Sequence, residues 1–189
     1  PSGDEFILVY DVTGRVIPPG GLPLHVGAVV SNVETLYNIG ADRPVTRKFL
    51  TVAGAVVHPV TLAAPIGTPF REVVKEAGGS TAAEFRVLVG GAMMGRLVES
   101  LEEPVTKTTG GLIVLPSDHP LVARYSLTRK HVERKARSAC DQCSFCTELC
   151  PRYLLGHPIE PHKAMRSVAF EGGGSRPVNE GLYCCECNL

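Results

Sequence analysis

A short run of the chain carries four cysteines within eleven residues, and this feature constrains the fold more than any other. The thiols are Cys140, Cys143, Cys146 and Cys150, and Pro151 follows directly. Thiolates are soft donors, and two-residue gaps allow a tight loop to wrap one metal cluster while backbone N–H groups point at the bound sulfides. Pro151 suits the first position of a helix, because its missing N–H has no partner to lose there. The run therefore predicts a metal-cluster loop followed by a helix.

The spacing of two, two and three residues, closed by Cys-Pro, is similar to the cluster-binding run of bacterial ferredoxins and predicts a 4Fe-4S cluster. Zinc is one alternative, but zinc sites usually separate two Cys pairs by about 12 to 20 residues, and this run has no such gap. Disulfides are another. Seven is an odd number of cysteines, and neighbours this close in sequence would pair with strain. The spacing favours the cluster over both alternatives.

A second group of cysteines, Cys184, Cys185 and Cys187, lies close to Leu189. Cys184 and Cys187 have the gap that begins another ferredoxin-type run, whose next ligand would fall one residue beyond Leu189. In two-cluster ferredoxins the fourth Cys of each run serves the other cluster. The predicted ligands of one cluster are thus Cys140, Cys143 and Cys146, and those of the other are Cys150, Cys184 and Cys187. Each cluster then lacks a ligand in this sequence, which suggests a chain cut within its second motif; alternatively, Cys184 to Cys187 are small hydrophobic residues without a metal role.

The composition is that of a globular protein with balanced charge. A length of 189 residues with 44% hydrophobic content can fill the core of one domain or of two small ones. Nineteen basic and nineteen acidic side chains argue against a general role on nucleic acid or membrane surfaces. No apolar run approaches the ~20 residues that span a bilayer, and no signal-peptide pattern is present. Clustered thiols indicate a reducing, cytoplasmic compartment.

The first part of the chain predicts one strand and one helix. The β-rich run from Glu5 to Val12 indicates a strand, and a breaker of two prolines and two glycines follows at 18–21. Ser31 is the predicted cap of a helix from Asn32 to Ile39. The unpaired N–H groups at that helix start could hold a phosphate; the alternative is a simple capped turn with Glu34 near the helix dipole.

The middle of the chain, from Arg47 to Pro116, predicts a compact α+β domain. A hairpin, a helix that begins near Thr68 and Pro69, and further strands follow one another, which is the order of a ubiquitin-like β-grasp fold. The predicted elements are strands Phe49 to Ala53 and Val56 to Leu62, a helix with Phe70, Val73, Val74 and Ala77 on one face, strand Phe85 to Val89 and a last strand before Pro116. The loop Gly90 to Gly95 predicts a tight turn with core methionines, or else a close backbone approach to a ligand or domain.

The last third of the chain predicts helices around the cysteines. One runs from His119 or Pro120 to about Ala136 and is strongly basic, either as a solvated face or as a docking site for an acidic redox partner near a cluster. The stretch from Arg124 to Arg137 contains a single acid, Glu133, and six basic residues: Arg124, Arg129, Lys130, Arg134, Lys135 and Arg137. His157 and His162 are predicted to be solvated or capping, with a ligand or proton role as the alternative. A helix from His162 to Phe170 and a flexible connector at 171–175 complete the pattern.

Several stretches carry a resemblance to known families. Near the cysteines they are residues 151–157 (PRYLLGH), 161–166 (PHKAMR) and 184–189 (CCECNL); upstream they are 32–36 (NVETL), 91–95 (GAMMG) and 105–109 (VTKTT). The chain resembles the cobalamin reductases of propanediol-utilising microcompartments, the PduS-like family. It is also similar to the RnfC subunit of the membrane ion-pumping ferredoxin:NAD reductase and, more distantly, to the NADH-binding subunit of respiratory complex I.

The resemblance implies an α+β fold: a ubiquitin-like β-grasp domain followed by a mainly helical ferredoxin-like 4Fe-4S region. Residues 1–46 would end a flavin- and NADH-binding domain, 47–118 would form the soluble-ligand-binding (SLBB) β-grasp domain, and 119–189 would form a linker helix and the dicluster region. In the complex I relative an Asn-Asn-Val-Glu-Thr segment contributes to the flavin phosphate site, which carries over to Asn32 and Thr35. The first Asn is Ser31 here, and the glycine-rich loop expected upstream is absent from this sequence.

The implied function is electron transfer in an NADH-dependent oxidoreductase that reduces cobalamin. FMN and NADH would bind the full-length protein, whose two 4Fe-4S clusters would pass on single electrons. Implied partners are cobalamin or another acceptor, a cobalamin adenosyltransferase, and flavodoxin or ferredoxin, in the cytoplasm or inside a bacterial microcompartment; no nucleic acid is implied. The alternatives are an RnfC-type peripheral subunit of a membrane complex and a corrinoid-binding β-grasp module. No residue pattern indicates hydrolytic catalysis.

Overall fold

The computed structural model describes residues 3–170 and 176–187, and these form two compact units. The first, here the cysteine unit, combines Pro1–Ser31 with Thr128–Leu189. The second, here the β-grasp unit, is Asn32–Leu127. This division into two units does not test the predicted domain bounds at residues 46 and 118, which stay predictions.

The β-grasp unit is built on a mixed five-stranded sheet. Its strands are β1 (Arg47–Gly54), β2 (Val60–Pro65), β3 (Phe85–Val89), β4 (Arg96–Leu97) and β5 (Gly111–Pro116), in the spatial order β2-β1-β5-β3-β4. β1 pairs antiparallel with β2 and parallel with β5, whereas β3 is antiparallel to both β4 and β5. The expected hairpin and α+β fold class are confirmed, although β2 begins four residues later than the predicted run.

One helix packs on this sheet and forms its core. Helix α3 (Phe70–Glu76) follows Pro69, as predicted, and its buried face is the predicted set of Phe70, Val73, Val74 and Ala77. These residues pack with the buried sheet residues Leu50, Val52, Leu112 and Val114. Each buried Phe, Val or Leu side chain here contributes about 1.5–3 kcal/mol through removal of apolar surface from water, so this face determines where the helix docks.

The end of β1 depends on a glycine. Gly54 has a φ of 92°, and a Cβ at this position would lie 2.2 Å from the carbonyl oxygen of Val114. The N–H of Ala55 donates to the same Val114 oxygen at 2.8 Å, so the chain turns out of the sheet at close range. A side chain at position 54 would therefore separate β1 from β5.

Helix α2 (Val33–Gly40) is capped one residue later than predicted. The Asn32 side chain, rather than Ser31, accepts a hydrogen bond from the Glu34 N–H at 3.0 Å. Glu34 in turn accepts from the Lys48 ammonium and, at 2.9 Å, from the Phe49 N–H. Burial works to raise the pKa of Glu34, but these hydrogen bonds outweigh burial and lower it. The carboxylate thus fastens α2 to strand β1.

The loop after β3 does not contain core methionines, so that prediction is wrong. The side chains of Met93 and Met94 are 61% and 66% exposed. The Tyr125 hydroxyl donates to the carbonyl oxygens of Ala92 and Met93 at 3.0 and 3.1 Å, which fixes the backbone of the loop and leaves its side chains outside.

The prediction of a single linking helix from His119 or Pro120 to about Ala136 is also wrong. The structure has two helices, α4 (Pro120–Tyr125) and α5 (Arg129–Ala139). Ser126 Oγ donates back to the Val122 carbonyl at 2.8 Å, and Thr128 begins the next helix with its hydroxyl 2.9 Å from His131 Nδ1. The Ser126 side chain thus occupies a backbone carbonyl of α4, which favours a helix end here over a continuous helix.

The predicted strand from Glu5 to Val12 is a helix, α1 (Glu5–Thr13). The Asp4 side chain caps it by accepting from the Phe6 N–H at 3.0 Å, and Gly14 ends it with a φ of 69°. Phe6, Ile7 and Val9 are buried in the cysteine unit. Good caps at both ends therefore overrode the β propensity of the apolar run.

The remaining elements of the cysteine unit are short. They are a 3-10 turn (Pro23–Val26), α6 (Phe145–Glu148), α7 (Pro151–Leu154), α8 (Pro161–Phe170), α9 (Arg176–Glu180) and a 3-10 turn (Gly181–Tyr183). Pro151 is the first residue of α7, and α8 contains the predicted helix, so both predictions are confirmed. The predicted connector at 171–175 lies outside the described residues. Among the helices of the described ranges, none is both long and apolar enough to cross a bilayer.

Candidate metal centre

The first cysteine motif is a loop between helices. Cys140 follows α5, Cys146 lies on α6 and Cys150 immediately precedes α7. Cys143 is exposed, Cys140 and Cys146 are half-buried, and Cys150 is buried. All seven cysteines lie in the described part of the chain, and all are free thiols. The loop therefore carries four free thiols, which differ in their exposure to solvent.

The backbone of both cysteine motifs is left-handed at matching positions. Among the described residues, four non-glycines have a positive φ, and three of them belong to the motifs: Gln142 (64°), Ser144 (62°) and Glu186 (51°). Gln142 and Glu186 each directly precede the second Cys of a Cys-x-x-Cys pair. Such strained residues concentrate at functional sites, where the surrounding structure determines them. The two motifs thus share one local conformation as well as one spacing.

The second motif begins where a 3-10 turn ends. Cys184 follows that turn and is exposed, whereas Cys185 and Cys187 are half-buried. The Glu186 N–H donates to Cys184 Sγ at 3.3 Å. Backbone hydrogen bonds to ligand sulfur stabilise the charged thiolate and are one means by which proteins set the potential of an iron-sulfur cluster. The second motif therefore places one backbone N–H against a predicted ligand sulfur.

Helix α8 holds the first loop through two side chains. His162 Nδ1 lies 2.6 Å from the hydroxyl of Thr147, a buried residue next to Cys146. Arg166 Nη1 donates to Gln142 Oε1 at 2.5 Å. Neither contact is visible as a sequence pattern, since the partners are 15 and 24 residues apart. His162 is therefore a half-buried support of the loop and not the solvated or capping residue that was predicted.

His157 is the most unusual polar residue of the cysteine unit. It is 2% exposed, and its ring packs edge-on against Phe6 at 5.3 Å and Tyr183 at 6.4 Å between ring centroids. In the part of the chain that the structure describes, neither ring nitrogen has a hydrogen-bond partner, although the Ile17 backbone lies close enough to favour the protonated ring. Burial, and secondarily the charge of Arg152, lower the pKa of His157. The prediction of a solvated or capping histidine is wrong, because the residue is a core side chain whose burial disfavours the charged ring.

A buried ion pair lies beside both cysteine motifs. Arg152 donates to Asp4 from Nε at 2.6 Å and from Nη2 at 2.8 Å, and its guanidinium Cζ lies 3.5 Å from the centroid of the Phe6 ring. Burial first, and then the nearby Asp4 and Cys187, raise the pKa of the Cys185 thiol to about 11. No sequence pattern indicates this arrangement, since Asp4 and Arg152 are 148 positions apart.

The donor type and the repeated backbone conformation fit a 4Fe-4S centre. Within residues 3–170 and 176–187, however, no three His, Cys, Asp or Glu side chains converge on a common metal position. The structure thus presents thiols on two cluster-type loops without a closed ligand set. The assignment of Cys140, Cys143, Cys146, Cys150, Cys184 and Cys187 as ligands stays a prediction.

The predicted flavin residues lie at the start of helix α2. Asn32 and Thr35 are both exposed, and the Asn32 side chain is occupied with the Glu34 N–H. Thr35 also lines an open cavity of about 400 Å³ together with Asn38 and Arg43. Their role toward a flavin phosphate stays a prediction.

Family models match three consecutive regions of the chain. Residues 1–41 match the Nuo51 FMN-binding domain, residues 49–97 match the SLBB domain, and residues 139–189 match the 4Fe-4S dicluster domain. The dicluster match covers every cysteine of the chain. It confirms the expected 4Fe-4S cofactor, and the FMN-binding match confirms the expected FMN. The bounds of the flavin domain stay a prediction.

Curated relatives extend the comparison to the whole chain. A cobalamin reductase PduS from Salmonella typhimurium is 46% identical over 100% of this chain and 43% of the relative, and one from Citrobacter freundii is 45% identical over the same shares. An RnfC-like component of the proton-translocating ferredoxin:NAD(+) oxidoreductase complex of Clostridium ljungdahlii is 33% identical over 82% of this chain and 32% of the relative. The chain therefore spans less than half of the length of these relatives.

A solved structure shares the fold. The NAD+-reducing NiFe hydrogenase in its H2-reduced state matches with a TM-score of 0.56 at 22% identity, over 97% of this chain and 39% of the other. At this identity the likeness concerns the fold alone, and it agrees with an α+β architecture.

Proposed function

Because this chain is PduS-like and RnfC-like, with FMN-binding, SLBB and 4Fe-4S dicluster regions in that order, we propose that it passes electrons from a flavin to a corrinoid. The observation that carries the proposal is the shared backbone of the two cysteine motifs, with Gln142 and Glu186 left-handed at corresponding positions. Soft thiols on such loops are typical ligands of iron-sulfur clusters.

The chain's own residues have three tasks in this function. The thiols hold the iron, as Cys140, Cys143, Cys146, Cys150, Cys184 and Cys187. Backbone N–H groups stabilise the ligand charge, as the Glu186 N–H does at Cys184. Side chains from α8 keep the first loop in place. When bound by these thiols, the clusters would supply one-electron transfer, and the flavin would supply the conversion between two-electron and one-electron chemistry.

The acceptor that we propose is cobalamin, as the names of the two similar reductases state for those proteins. The test is anaerobic reduction of aquacobalamin by NADH, followed in the visible spectrum, with the natural polypeptide that carries this sequence. Cys143→Ser should abolish the reduction, whereas Cys185→Ser, which changes a cysteine outside the proposed ligand set, should retain most of it. Equal rates in both variants would refute electron flow through the first motif.

A second candidate is a peripheral component of a membrane complex, like the similar protein of the Clostridium ljungdahlii oxidoreductase complex. Sequence identity favours the reductase, because it is 46% with the Salmonella typhimurium cobalamin reductase and 33% with the Clostridium ljungdahlii protein. Fractionation distinguishes the two, because a peripheral component would sediment with membranes and be released by salt. A third candidate, a corrinoid-binding β-grasp module, requires cobalamin to bind the natural polypeptide after its iron has been removed.

The basic helix α5 is the part of the cysteine unit where we propose that an acidic electron carrier docks. Lys130, Arg134, Lys135 and Arg137 are exposed there, and the helix leads directly into Cys140. Charge of this sign attracts an acidic partner and raises its association rate at low salt. Flavodoxin and ferredoxin are such carriers, and a cobalamin adenosyltransferase is the proposed recipient of the product. We place these encounters in the cytoplasm or inside a microcompartment.

A further inference from the structure

We propose that the cysteine unit has an apolar groove that binds an amphipathic helix with acidic flanks, contributed by a partner protein. The groove lies between α5, α8, α9 and the 3-10 turn that follows α9. The inference deepens the proposed docking of an acidic partner at α5 and rests on it, but it needs no bound iron or flavin. Three pairs of side chains line the groove: Val132 and Ala136 from α5, Met165 and Val168 from α8, and Val178 and Leu182 from α9 and the turn.

The two helices that form the longer walls of the groove are held together by specific contacts. Arg137 of α5 donates from Nε to the Ala169 carbonyl oxygen of α8 at 2.6 Å. Its guanidinium Cζ also lies 6.0 Å from the centroid of the Phe170 ring. Ala136 and Ala169, one on each helix, are buried. These walls are therefore in place before a partner binds.

The groove is apolar and open to water. Its volume is about 360 Å³, and a space of this size holds about two large apolar side chains. Leu182 is 87% exposed and Val132 is 47% exposed, although both belong to this apolar lining. Removal of such surface from water is favourable, so side chains that enter the groove and cover these two residues would stabilise a complex.

The secondary structure of the lining favours a helix as the occupant. The lining residues lie on helices and on a 3-10 turn, which offer no strand edge for an extended peptide to pair with. A helix satisfies its own backbone hydrogen bonds, so it can lie on an apolar surface that provides no partners for them. Apolar side chains at helical spacing are the usual anchors of a helix bound in such a groove.

The charge of α5 selects acidic flanks. This helix carries five basic residues and one acid, Glu133, which lies 2.9 Å from Arg129. Lys135 is exposed and lies one helical turn after Val132, on the same side of the helix as the groove. Glu180, half-buried at the end of α9, has the opposite charge next to the groove. The positive excess of α5 outweighs it, so this wall attracts carboxylates and repels a basic helix.

The test is fluorescence anisotropy with the natural polypeptide that carries this sequence. The probe is a labelled synthetic peptide of about 18 residues, with leucines at helical spacing on one face and glutamates on the other. One control peptide has lysines in place of the glutamates. A second control peptide has the composition of the probe, but its leucines are distributed around the helix.

The variants change exposed side chains of the groove, so the fold should persist. Leu182→Ser and Val132→Gln remove apolar surface from the lining. Leu154→Ser is the matched control, because Leu154 is 69% exposed on α7 of the same unit and does not line the groove. Lys135→Glu reverses a charge beside the groove, and its control is Lys75→Glu on α3 of the β-grasp unit.

We expect saturable binding of the glutamate peptide at low salt, and much weaker binding of both control peptides. Leu182→Ser and Val132→Gln should each raise the Kd at least about fivefold, whereas Leu154→Ser should change it less than about twofold. Lys135→Glu should also raise the Kd, and Lys75→Glu should not.

Several results would overturn the groove as a helix-binding site. They are no binding of the glutamate peptide, equal binding of either control peptide, and an equal loss in Leu182→Ser and Leu154→Ser. A dimer in sedimentation that Leu182→Ser abolishes would show that a second copy fills the groove, and would overturn the proposal too. If Leu182→Ser lost helical circular dichroism signal, Val132→Gln and the lysine peptide would decide.

The outcomes also separate this inference from the proposed function. Absence of peptide binding in protein that still reduces aquacobalamin would overturn the groove alone. Peptide binding with the expected variant effects in protein that reduces no aquacobalamin would support the groove and refute the proposed electron transfer.

Discussion

Gln142 and Glu186 adopt the same left-handed backbone conformation, with φ values of 64° and 51°, at the same place in two cysteine motifs. Each residue lies directly before the second thiol of its pair and turns the chain so that the next cysteine follows in a tight loop. For a residue with a side chain this conformation costs about 1–2 kcal/mol. The strain is therefore a feature that the two motifs share, in addition to their spacing.

Substitution of Gln142 tests this conformation. Gln142→Gly should keep the iron content, because glycine adopts a positive φ without strain, although the hydrogen bond from Arg166 is lost. Gln142→Val should reduce the iron content at least severalfold, since a β-branched residue strongly disfavours this conformation. Iron and sulfide analysis after anaerobic reconstitution measures both. Equal iron content in the glycine and valine variants would contradict the role of the left-handed residue.

Comparison of two cysteines tests the ligand assignment. Cys143→Ala should remove one cluster, while Cys185→Ala should keep both, because Cys185 lies outside the predicted ligand set and burial raises the pKa of its thiol. Double integration of the paramagnetic signal after reduction gives the number of clusters per chain. If Cys143→Ala kept both clusters, the assignment for the first motif would be wrong.

The sequence predicted the β-grasp unit well, because its signals are local. The buried face of α3 follows the helical repeat from Phe70 to Ala77, and Val87 and Leu88 are buried within the predicted strand. It failed for α1, where Asp4 and Gly14 cap an apolar run that otherwise reads as a strand. The break between α4 and α5 also depends on a single side chain, Ser126, which donates to a backbone carbonyl of α4 and weighs little in an averaged pattern.

The same distinction between local and tertiary signals applies to the candidate metal centre. Thiol spacing is a local signal, so both cysteine motifs could be found from the sequence. The supports of the motifs are tertiary contacts: Asp4 with Arg152, His157 with Phe6, and Thr147 with His162. No spacing rule predicts such partners, and His157 in particular has the sequence context of an ordinary loop residue, between a glycine and a proline.

His157 should make the stability of the cysteine unit depend on pH. Burial lowers the pKa of His157 below its ordinary value of 6.5, so the unfolded chain binds a proton more readily than the folded one. The neutral ring's contribution is fully present above about pH 6.5 and is lost as the pH falls toward the folded pKa. His157→Phe should therefore flatten the fall of the melting temperature between about pH 7.5 and about pH 5 in metal-free protein. The idea fails if the variant's fall is as steep as that of the unmodified chain.

Glu103 should contribute to the stability of the β-grasp unit above its folded pKa. The hydrogen bond from Arg96, opposed by burial and aided by the N–H groups of Glu99 and Ser100, lowers the pKa of Glu103 to about 2. The stabilisation is thus present above the ordinary value of 4.5 and lost as the pH falls toward 2. Glu103→Gln should lower the free energy of unfolding by up to about 1 kcal/mol at pH 7, since the pair is partly solvated.

The control for Glu103 is Glu102→Gln, because Glu102 pairs with Arg71 at 2.7 Å and both side chains are more than half exposed. This exposed pair should change the free energy of unfolding by less than about 0.5 kcal/mol at either pH. Denaturant titrations at pH 7 and pH 3 give the change in the free energy of unfolding for both variants at each pH. A loss in Glu103→Gln that is as large at pH 3 as at pH 7 would show that its charge is not the cause.

The decisive measurement is the metal content of the natural polypeptide that carries this sequence, purified without oxygen. We predict a brown protein with iron and acid-labile sulfide in equal amounts, about eight of each per chain for two cubanes, and 4Fe-4S signals in the paramagnetic resonance spectrum after reduction with dithionite. A colourless protein that contains zinc and no labile sulfide would refute electron transfer through these motifs, because its thiols would then hold a metal that carries no electrons.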